Sequence, residues 1–109
     1  METPDKWIVV KITNNNGDIL YKVFASWYGG YGGNDSWRMN SGIKKINIYE
    51  NDYIDFIGHS SSCYRCVIGH YGTNSFSQSI LNKAIESAIK VHASIEILPE
   101  DTDWSKLLN

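Results

Sequence analysis

The sequence predicts a single α+β domain over residues 1–109, with an antiparallel sheet of five to six strands and one amphipathic helix packed on one face. Short runs rich in β-branched and aromatic residues alternate with polar, Gly-containing turns before residue 75, which is typical of a strand meander. A later stretch instead repeats apolar residues at helical spacing. A chain of 109 residues is long enough to bury one core.

The opening segment predicts a β-hairpin. Residues 7–13 are rich in β-branched side chains, which favours a strand, and the turn at 14–18 contains an Asn-Gly pair suited to a tight reversal. The return strand, 19–28, carries large apolar groups on both faces, so we expect cover on both sides of it. One face holds Tyr21, Val23, Ala25 and Trp27, and the other holds Leu20, Lys22, Phe24 and Ser26.

A glycine-rich loop follows at residues 28–35. It lacks the spacing of a phosphate-binding loop, so it predicts a flexible turn with aromatic anchors. Tyr28 and Tyr31 would then form a protein-binding tip, because tyrosine offers a large contact area at little entropic cost. Further strands are predicted at 37–39, which leads into 43–49, and at 52–57 and 63–68.

The second part of the chain predicts one helix over about residues 76–91. Ser75 and Gln78 have the spacing of a capping box. A final strand is expected at 94–98, then a terminal turn at 103–108 that packs Trp104 and Leu107 inward. The predicted apolar stripe of the helix consists of Ile80, Leu81, Ala84, Ile85, Ala88 and Ile89.

Aromatic content is the main functional clue. The chain has 14 aromatic residues, more than one small core needs, although an unusually aromatic core remains an alternative explanation. Exposed aromatic and arginine side chains are typical of protein–protein hot spots. The candidate binding residues are Tyr28, Tyr31, Trp37, Arg38, Met39 and Lys44. Aromatic and basic strands also suit single-stranded nucleic acid, which remains a second hypothesis.

Both cysteines lie in the stretch His59-x3-Cys63-x2-Cys66-x3-His70, whose composition allows a Cys₂His₂ zinc site. The zinc hypothesis conflicts with the predicted strand at 63–68. In an extended strand Cys63 and Cys66 would point to opposite faces and could not bind one ion. We therefore predict no cofactor, with zinc bound by His59, Cys63, Cys66 and His70 as the alternative.

Charge and composition exclude several function classes. The net charge is −2, and the segment from Glu96 onward has four acids and one lysine, so the remainder is close to neutral at +1. This balance gives no general attraction to nucleic acid. No apolar run is long enough to span a bilayer. The first residues lack the layout of a signal peptide, which predicts a cytoplasmic protein without a disulfide.

Catalysis is not predicted. The chain contains no G-x-S-x-G motif, and the serines after His59 are typical of a turn. Asp52 and Asp55 would lie on opposite faces of one strand, which argues against a paired acid–base site. A homodimer through an exposed sheet edge is compatible with the predicted strands.

Two segments, 35–43 (Asp-Ser-Trp-Arg-Met-Asn-Ser-Gly-Ile) and 58–66 (Gly-His-Ser-Ser-Ser-Cys-Tyr-Arg-Cys), resemble small accessory proteins of T-even-type bacteriophages. The resemblance covers about half of the chain. It implies a phage product in the host bacterial cytosol that binds a host protein or a defence protein and acts as an inhibitor or modulator. It assigns no site residues.

Overall fold

The computed structural model describes residues 1–30 and 32–108. Within them the chain forms an α+β fold of seven strands, one α-helix and a short 3-10 turn at Trp104–Lys106. The elements are β1 (Lys6–Thr13), β2 (Ile19–Trp27), β3 (Ser36–Met39), β4 (Ile43–Tyr49), β5 (Tyr53–Gly58), β6 (Cys63–Val67), α1 (Ser75–Lys90) and β7 (Ser94–Ile97).

The α+β class is confirmed, but the strands form two antiparallel sheets, so the predicted single sheet of five to six strands is matched only roughly. One sheet has the order β3-β2-β1-β7 and the other has the order β4-β5-β6. The meander is interrupted after β3, where the chain leaves the first sheet and begins the second. The physical reason is the apolar character of both faces of β2, which requires one layer on each side.

The main core lies between the two sheets. Trp7, a residue that is 2% exposed, packs against Phe56 and Trp104 with ring centroids 5.5 Å and 5.8 Å away. Trp104 and Leu107 therefore lie against this core, as the sequence predicts for the terminal turn. The buried members of the core are Trp7, Val9, Val23, Ala25, Ile43, Ile54, Phe56, Tyr64, Cys66, Leu98 and Trp104.

Helix α1 covers the opposite face of the four-stranded sheet. Its fully buried Leu81 packs against Ile8, Val10 and Phe24, which alternate along β1 and β2 with the residues of the main core. The molecule thus has three layers: helix, four-stranded sheet and three-stranded sheet. The expectation that both faces of the return strand are covered is confirmed, and so is a helix packed on one sheet face.

The helix begins one residue earlier than predicted and has a different cap. Asn74, in an extended conformation, accepts a hydrogen bond from the backbone N–H of Ser77, and the Ser77 hydroxyl accepts one from the Asn74 N–H. This reciprocal pair replaces the predicted pair of Ser75 and Gln78. The last turn leaves the sheet, since Ile89 of the predicted stripe is 64% exposed.

Side chains and the N-terminal segment connect the layers. The indole N–H of Trp7 in β1 donates to the Val67 carbonyl of the second sheet at 2.8 Å. The Tyr71 hydroxyl donates to the Leu98 carbonyl at 2.6 Å and accepts from the Val9 N–H at 3.1 Å. Glu2 hydrogen-bonds through its backbone to β6. No helix in the described ranges is long and apolar enough to cross a membrane.

Candidate functional site

The three-stranded sheet has an outer face that points away from the core. Alternation along β5 buries Ile54 and Phe56 between the sheets and turns Tyr53, Asp55 and Ile57 outward. The antiparallel register places their partners from β4 and β6 on the same face. We call this surface the open sheet face; it consists of Lys45, Asn47, Tyr49, Tyr53, Asp55, Ile57, Cys63, Arg65 and Val67.

A β-bulge in β4 shapes one edge of the open sheet face. Ile43 pairs with Gly58 and Lys45 pairs with Ile57, so Lys44 is the extra residue. The bulge lets Ile43 point into the core while both lysines are exposed. Exposed lysines also protect an edge strand from pairing with another chain.

Asp55 and Arg65 form a two-pronged ion pair at the centre of the open sheet face. Arg65 Nε and Nη2 donate to the two carboxylate oxygens of Asp55 at 2.9 Å each. The Asp55 side chain is 7% exposed and that of Arg65 is 33% exposed. The hydrogen bonding that Arg65 donates to the Asp55 carboxylate raises the pKa of Arg65, so the guanidinium stays charged. Bidentate geometry fixes the plane of the guanidinium as well as its position.

Two tyrosines extend this cluster toward the β4–β5 turn. The Arg65 guanidinium carbon lies 3.9 Å from the centre of the Tyr53 ring, in cation–π contact. Tyr49 lies opposite Tyr53 in the register, with ring centroids 4.7 Å apart. Tyr49 is 46% exposed. Asp55, Arg65, Tyr53 and Tyr49 therefore form a continuous, laterally supported row whose outer end is accessible.

The structure separates the candidate binding residues predicted from the sequence. Trp37 and Met39 lie on the helix side of the four-stranded sheet, opposite Ser26 and Phe24, and Trp37 is 42% exposed. Arg38 points to the other face and forms an ion pair with Glu2 at 3.2 Å.

The other predicted binding residues belong to different segments. Tyr28, just after β2, is 53% exposed, and its N–H donates to the Asp5 carboxylate at 2.8 Å. Lys44 belongs to the second sheet. Tyr31 lies outside the described residues. Trp37 and Met39 are thus the pair from this set that shares one sheet face.

The His59–His70 stretch contains strand β6, as the strand hypothesis predicts. Cys66 is fully buried in the core, whereas Cys63 lies opposite Ile57 on the open sheet face. Both histidines are exposed, His59 in the turn before β6 and His70 after it. Across the described residues, no group of three or more His, Cys, Asp or Glu side chains has a geometry suited to a metal ion.

Sequence reasoning missed the row at the centre of the open sheet face. Tyr49, Tyr53, Asp55 and Arg65 lie on three different strands, and the cross-strand register brings them together. The sequence does indicate the Tyr49–Tyr53 pair, because the two tyrosines flank a short polar turn at equal distances from its centre and would lie opposite each other in a hairpin. Pairing Asp55 with Arg65 needed the register of β6, which depends on the length of the turn at 59–62.

The chain was also compared with known proteins. It matches no protein family, no curated protein and no solved structure.

Proposed function

We propose that this chain is a non-catalytic binding protein that recognises a protein partner through the open sheet face. The observation that supports it most directly is the row formed by Tyr49, Tyr53 and Arg65, which Asp55 holds in place. Tyrosine and arginine dominate the energetics of protein–protein interfaces. The resemblance to phage accessory proteins supports a host protein or defence protein as the partner and inhibition or modulation as the effect.

The row is ordered before a partner binds. Arg65 is held by two hydrogen bonds to Asp55 and by the ring of Tyr53. Ordering a free arginine or tyrosine side chain at an interface costs about 0.5–1.5 kcal/mol. A partner that docks on this surface avoids most of that cost, so a small contact area can give a specific complex.

Charge indicates the chemistry of the partner surface. Asp55 neutralises Arg65, which leaves Lys45 with the neighbouring Lys44 as the cations at the rim of the open sheet face. The centre is the half-buried ion pair, and the end of the row toward the β4–β5 turn is aromatic. A complementary partner therefore presents an apolar surface to the two tyrosines of the row and carboxylates to Lys44 and Lys45.

Single-stranded nucleic acid is the second candidate, because exposed rings and lysines on an antiparallel sheet can stack bases and contact phosphates. Two observations favour a protein instead. Arg65 already covers one face of the Tyr53 ring, and its charge is balanced by Asp55. Few cations are then left for a phosphate backbone.

The test is site-specific photocrosslinking of the full chain in bacterial cells that carry the host and defence proteins. A photoreactive phenylalanine analogue replaces Tyr49, Trp37 or Phe76 in separate variants. Phe76 is the matched control, since it is an exposed ring on the helix, 37% exposed. We expect one protein to crosslink from position 49, and Tyr53→Ser to abolish that crosslink.

The outcomes separate the alternatives. A protein that crosslinks equally from positions 49 and 76 contradicts the proposal. A crosslink from position 37 alone moves the binding surface to the Trp37 and Met39 side of the four-stranded sheet. Crosslinks to nucleic acid support the second candidate, and with the purified chain and an oligonucleotide their yield should fall when irradiation is done at higher salt. A crosslinked pair of identical chains identifies a homodimer.

A further inference from the structure

A cleft rich in hydrogen-bond donors lies where the chain passes from the first sheet to the second, with a volume of about 500 Å³. We call it the donor cleft. It is formed by the end of β3, the connection to β4 and the turn between β5 and β6. Its polar lining consists mainly of Lys22, Arg38, Asn40, Ser41, Ser60 and Ser62.

The donor cleft exists because β3 is shorter than β2. The last β3 residue, Met39, pairs with Phe24, so the edge of β2 before Phe24 has no neighbouring strand. Asn40 makes the hydrogen bonds that a neighbouring strand would otherwise make to Val23. The Asn40 N–H donates to the Val23 carbonyl at 3.2 Å, and the Asn40 side-chain oxygen accepts from the Val23 N–H at 3.0 Å. Lys22, one residue further along this edge, lines the opening.

Asn40, which lines the donor cleft, has a side-chain donor with no hydrogen-bond partner in the described residues. The residue is 4% exposed, and its side-chain oxygen also accepts from the Gly42 N–H at 3.3 Å. These two accepted bonds fix the orientation of the amide. Its Nδ2 is buried and has no partner in the described residues. An unpartnered buried donor costs about 1–3 kcal/mol, and an acceptor would offset that cost only if the buried Nδ2 became accessible from the cleft.

Three serines add a chain of hydroxyls along the wall. Ser41 Oγ donates to Ser60 Oγ at 3.2 Å, and Ser60 Oγ lies 3.4 Å from Ser62 Oγ. The three hydroxyls carry three protons, and these two bonds use two of them. One hydroxyl proton therefore remains for a ligand.

The charges at the rim favour an anion. Lys22 has no carboxylate within ion-pair distance in the described ranges. Arg38 uses Nη1 for Glu2 at 3.2 Å, and its guanidinium carries further N–H donors beside this contact. Lys22, Arg38 and Glu2 together give a local charge of +1.

We infer that the donor cleft binds a small molecule through an oxyanion, a phosphate or carboxylate group. Lys22 and Arg38 supply charge at the rim, each from a different side of the opening, and the serine chain supplies a hydroxyl. An oxyanion accepts several hydrogen bonds at once, which matches this set of donors. The site is separate from the open sheet face and does not depend on the proposed protein partner.

The test is titration of the ¹⁵N-labelled full chain with inorganic phosphate and, separately, with acetate, followed by amide chemical shifts. We expect saturable shifts at Ser41, Gly42, Ser60 and Ser62. Lys22→Ala should weaken binding on the order of tenfold, since a charge-assisted contact is lost. Phosphate alone, acetate alone or both producing these shifts identifies which oxyanion the site accepts.

Two further variants sharpen the test. Glu2→Gln removes the competing carboxylate and should tighten binding several-fold, which a merely unfolded or damaged site would not do. Lys83→Ala, an exposed helix lysine, is the matched control and should leave the affinity unchanged. Linear, unsaturated shifts with both anions, or equal losses in Lys22→Ala and Lys83→Ala, would overturn the inference.

Discussion

The two cysteines, three positions apart in β6, have different chemical surroundings. Cys66 is fully buried between the sheets, and burial raises the pKa of its thiol. Cys63 is half-buried on the open sheet face, and the pKa of its thiol is also raised, chiefly by burial and then by Asp55. A raised thiol pKa disfavours the thiolate, which is the form that attacks disulfides and binds metals.

We therefore predict slow and unequal reaction with an aromatic disulfide reagent. Below the raised pKa of Cys63 the thiolate fraction, and with it the labelling rate, should rise about tenfold per pH unit. At neutral pH Cys63 should react more slowly than a free cysteine. Cys66 should react only when the chain unfolds, because it is shielded by both sheets. The measurement is the number of thiols labelled against time in native buffer and in denaturant.

Single-cysteine variants provide the control for this prediction. Cys66→Ala should label slowly in native buffer, and Cys63→Ser should not label until denaturant is added. Native mass spectrometry of the same proteins tests the zinc alternative. One zinc ion bound to the wild type and lost from both variants would contradict the opposite orientation of the two side chains.

At the scale of elements, Gly42 controls the connection between the two sheets. Its φ of +121° is in the region that L side chains rarely adopt. A Cβ added there would lie 2.7 Å from Leu20 Cδ1 and 2.9 Å from His59 Cδ2. The backbone of Gly42 also accepts a hydrogen bond from the His59 N–H at 2.9 Å. The sheets thus approach each other through this glycine.

We predict that Gly42→Ala lowers the free energy of unfolding by about 1–3 kcal/mol from backbone strain, with an added cost from the contacts of the new methyl group. Gly17→Ala is the matched control, because Gly17 also has positive φ, +89°, and nothing lies within 4 Å of its added Cβ. Denaturant unfolding of both variants gives the comparison. An equal loss in the two would show that the packing around Leu20 and His59 contributes nothing.

The same elements show how far the sequence predicts the fold. Alternation correctly predicts the opening hairpin, its two covered faces and strand β6, since these signals are local. The division into two sheets depends on what happens after β3, where Asn40 satisfies the β2 edge and Gly42 redirects the chain. Neither role can be predicted from the periodicity of apolar residues in the sequence. The choice of Asn74 over Ser75 as the helix cap likewise depends on backbone conformation.

The candidate site was harder to predict than the fold because it depends on contacts between strands. The predicted patch around Trp37, Arg38 and Met39 is contiguous in sequence, yet alternation sends Arg38 to the opposite face. The row of Tyr49, Tyr53 and Arg65 requires two registers to be known together. Composition predicted only that some aromatic side chains are exposed.

At the scale of the whole molecule, the four-stranded sheet is shared by two cores. Along β1, Ile8 packs toward the helix, while Val9 packs toward the second sheet. The indole of Trp7 then connects β1 to the second sheet by a hydrogen bond, and the Tyr71 hydroxyl connects the segment between β6 and α1 to β1. Neither core can be lost without exposing one face of the same strands, so we expect the three layers to unfold together.

Matched substitutions on the two sides test this cooperativity. Ile8→Val trims the helix side and Ile54→Val trims the inter-sheet side, from residues that are 2% and 3% exposed. Each should cost about 0.5–1.5 kcal/mol of unfolding free energy. Because the two side chains lie on opposite sides of the four-stranded sheet, the costs should add to within about 0.5 kcal/mol.

Denaturant unfolding of each variant should be followed by two signals. Far-ultraviolet circular dichroism reports the helix, and tryptophan fluorescence, recorded in a background with Trp27→Phe and Trp37→Phe, reports Trp7 and Trp104 in the main core. We expect coincident transitions in the wild type, both single variants and the double variant. If Ile8→Val moves the helix signal to lower denaturant while the fluorescence transition stays in place, helix α1 unfolds independently. The shared sheet then does not couple the two cores.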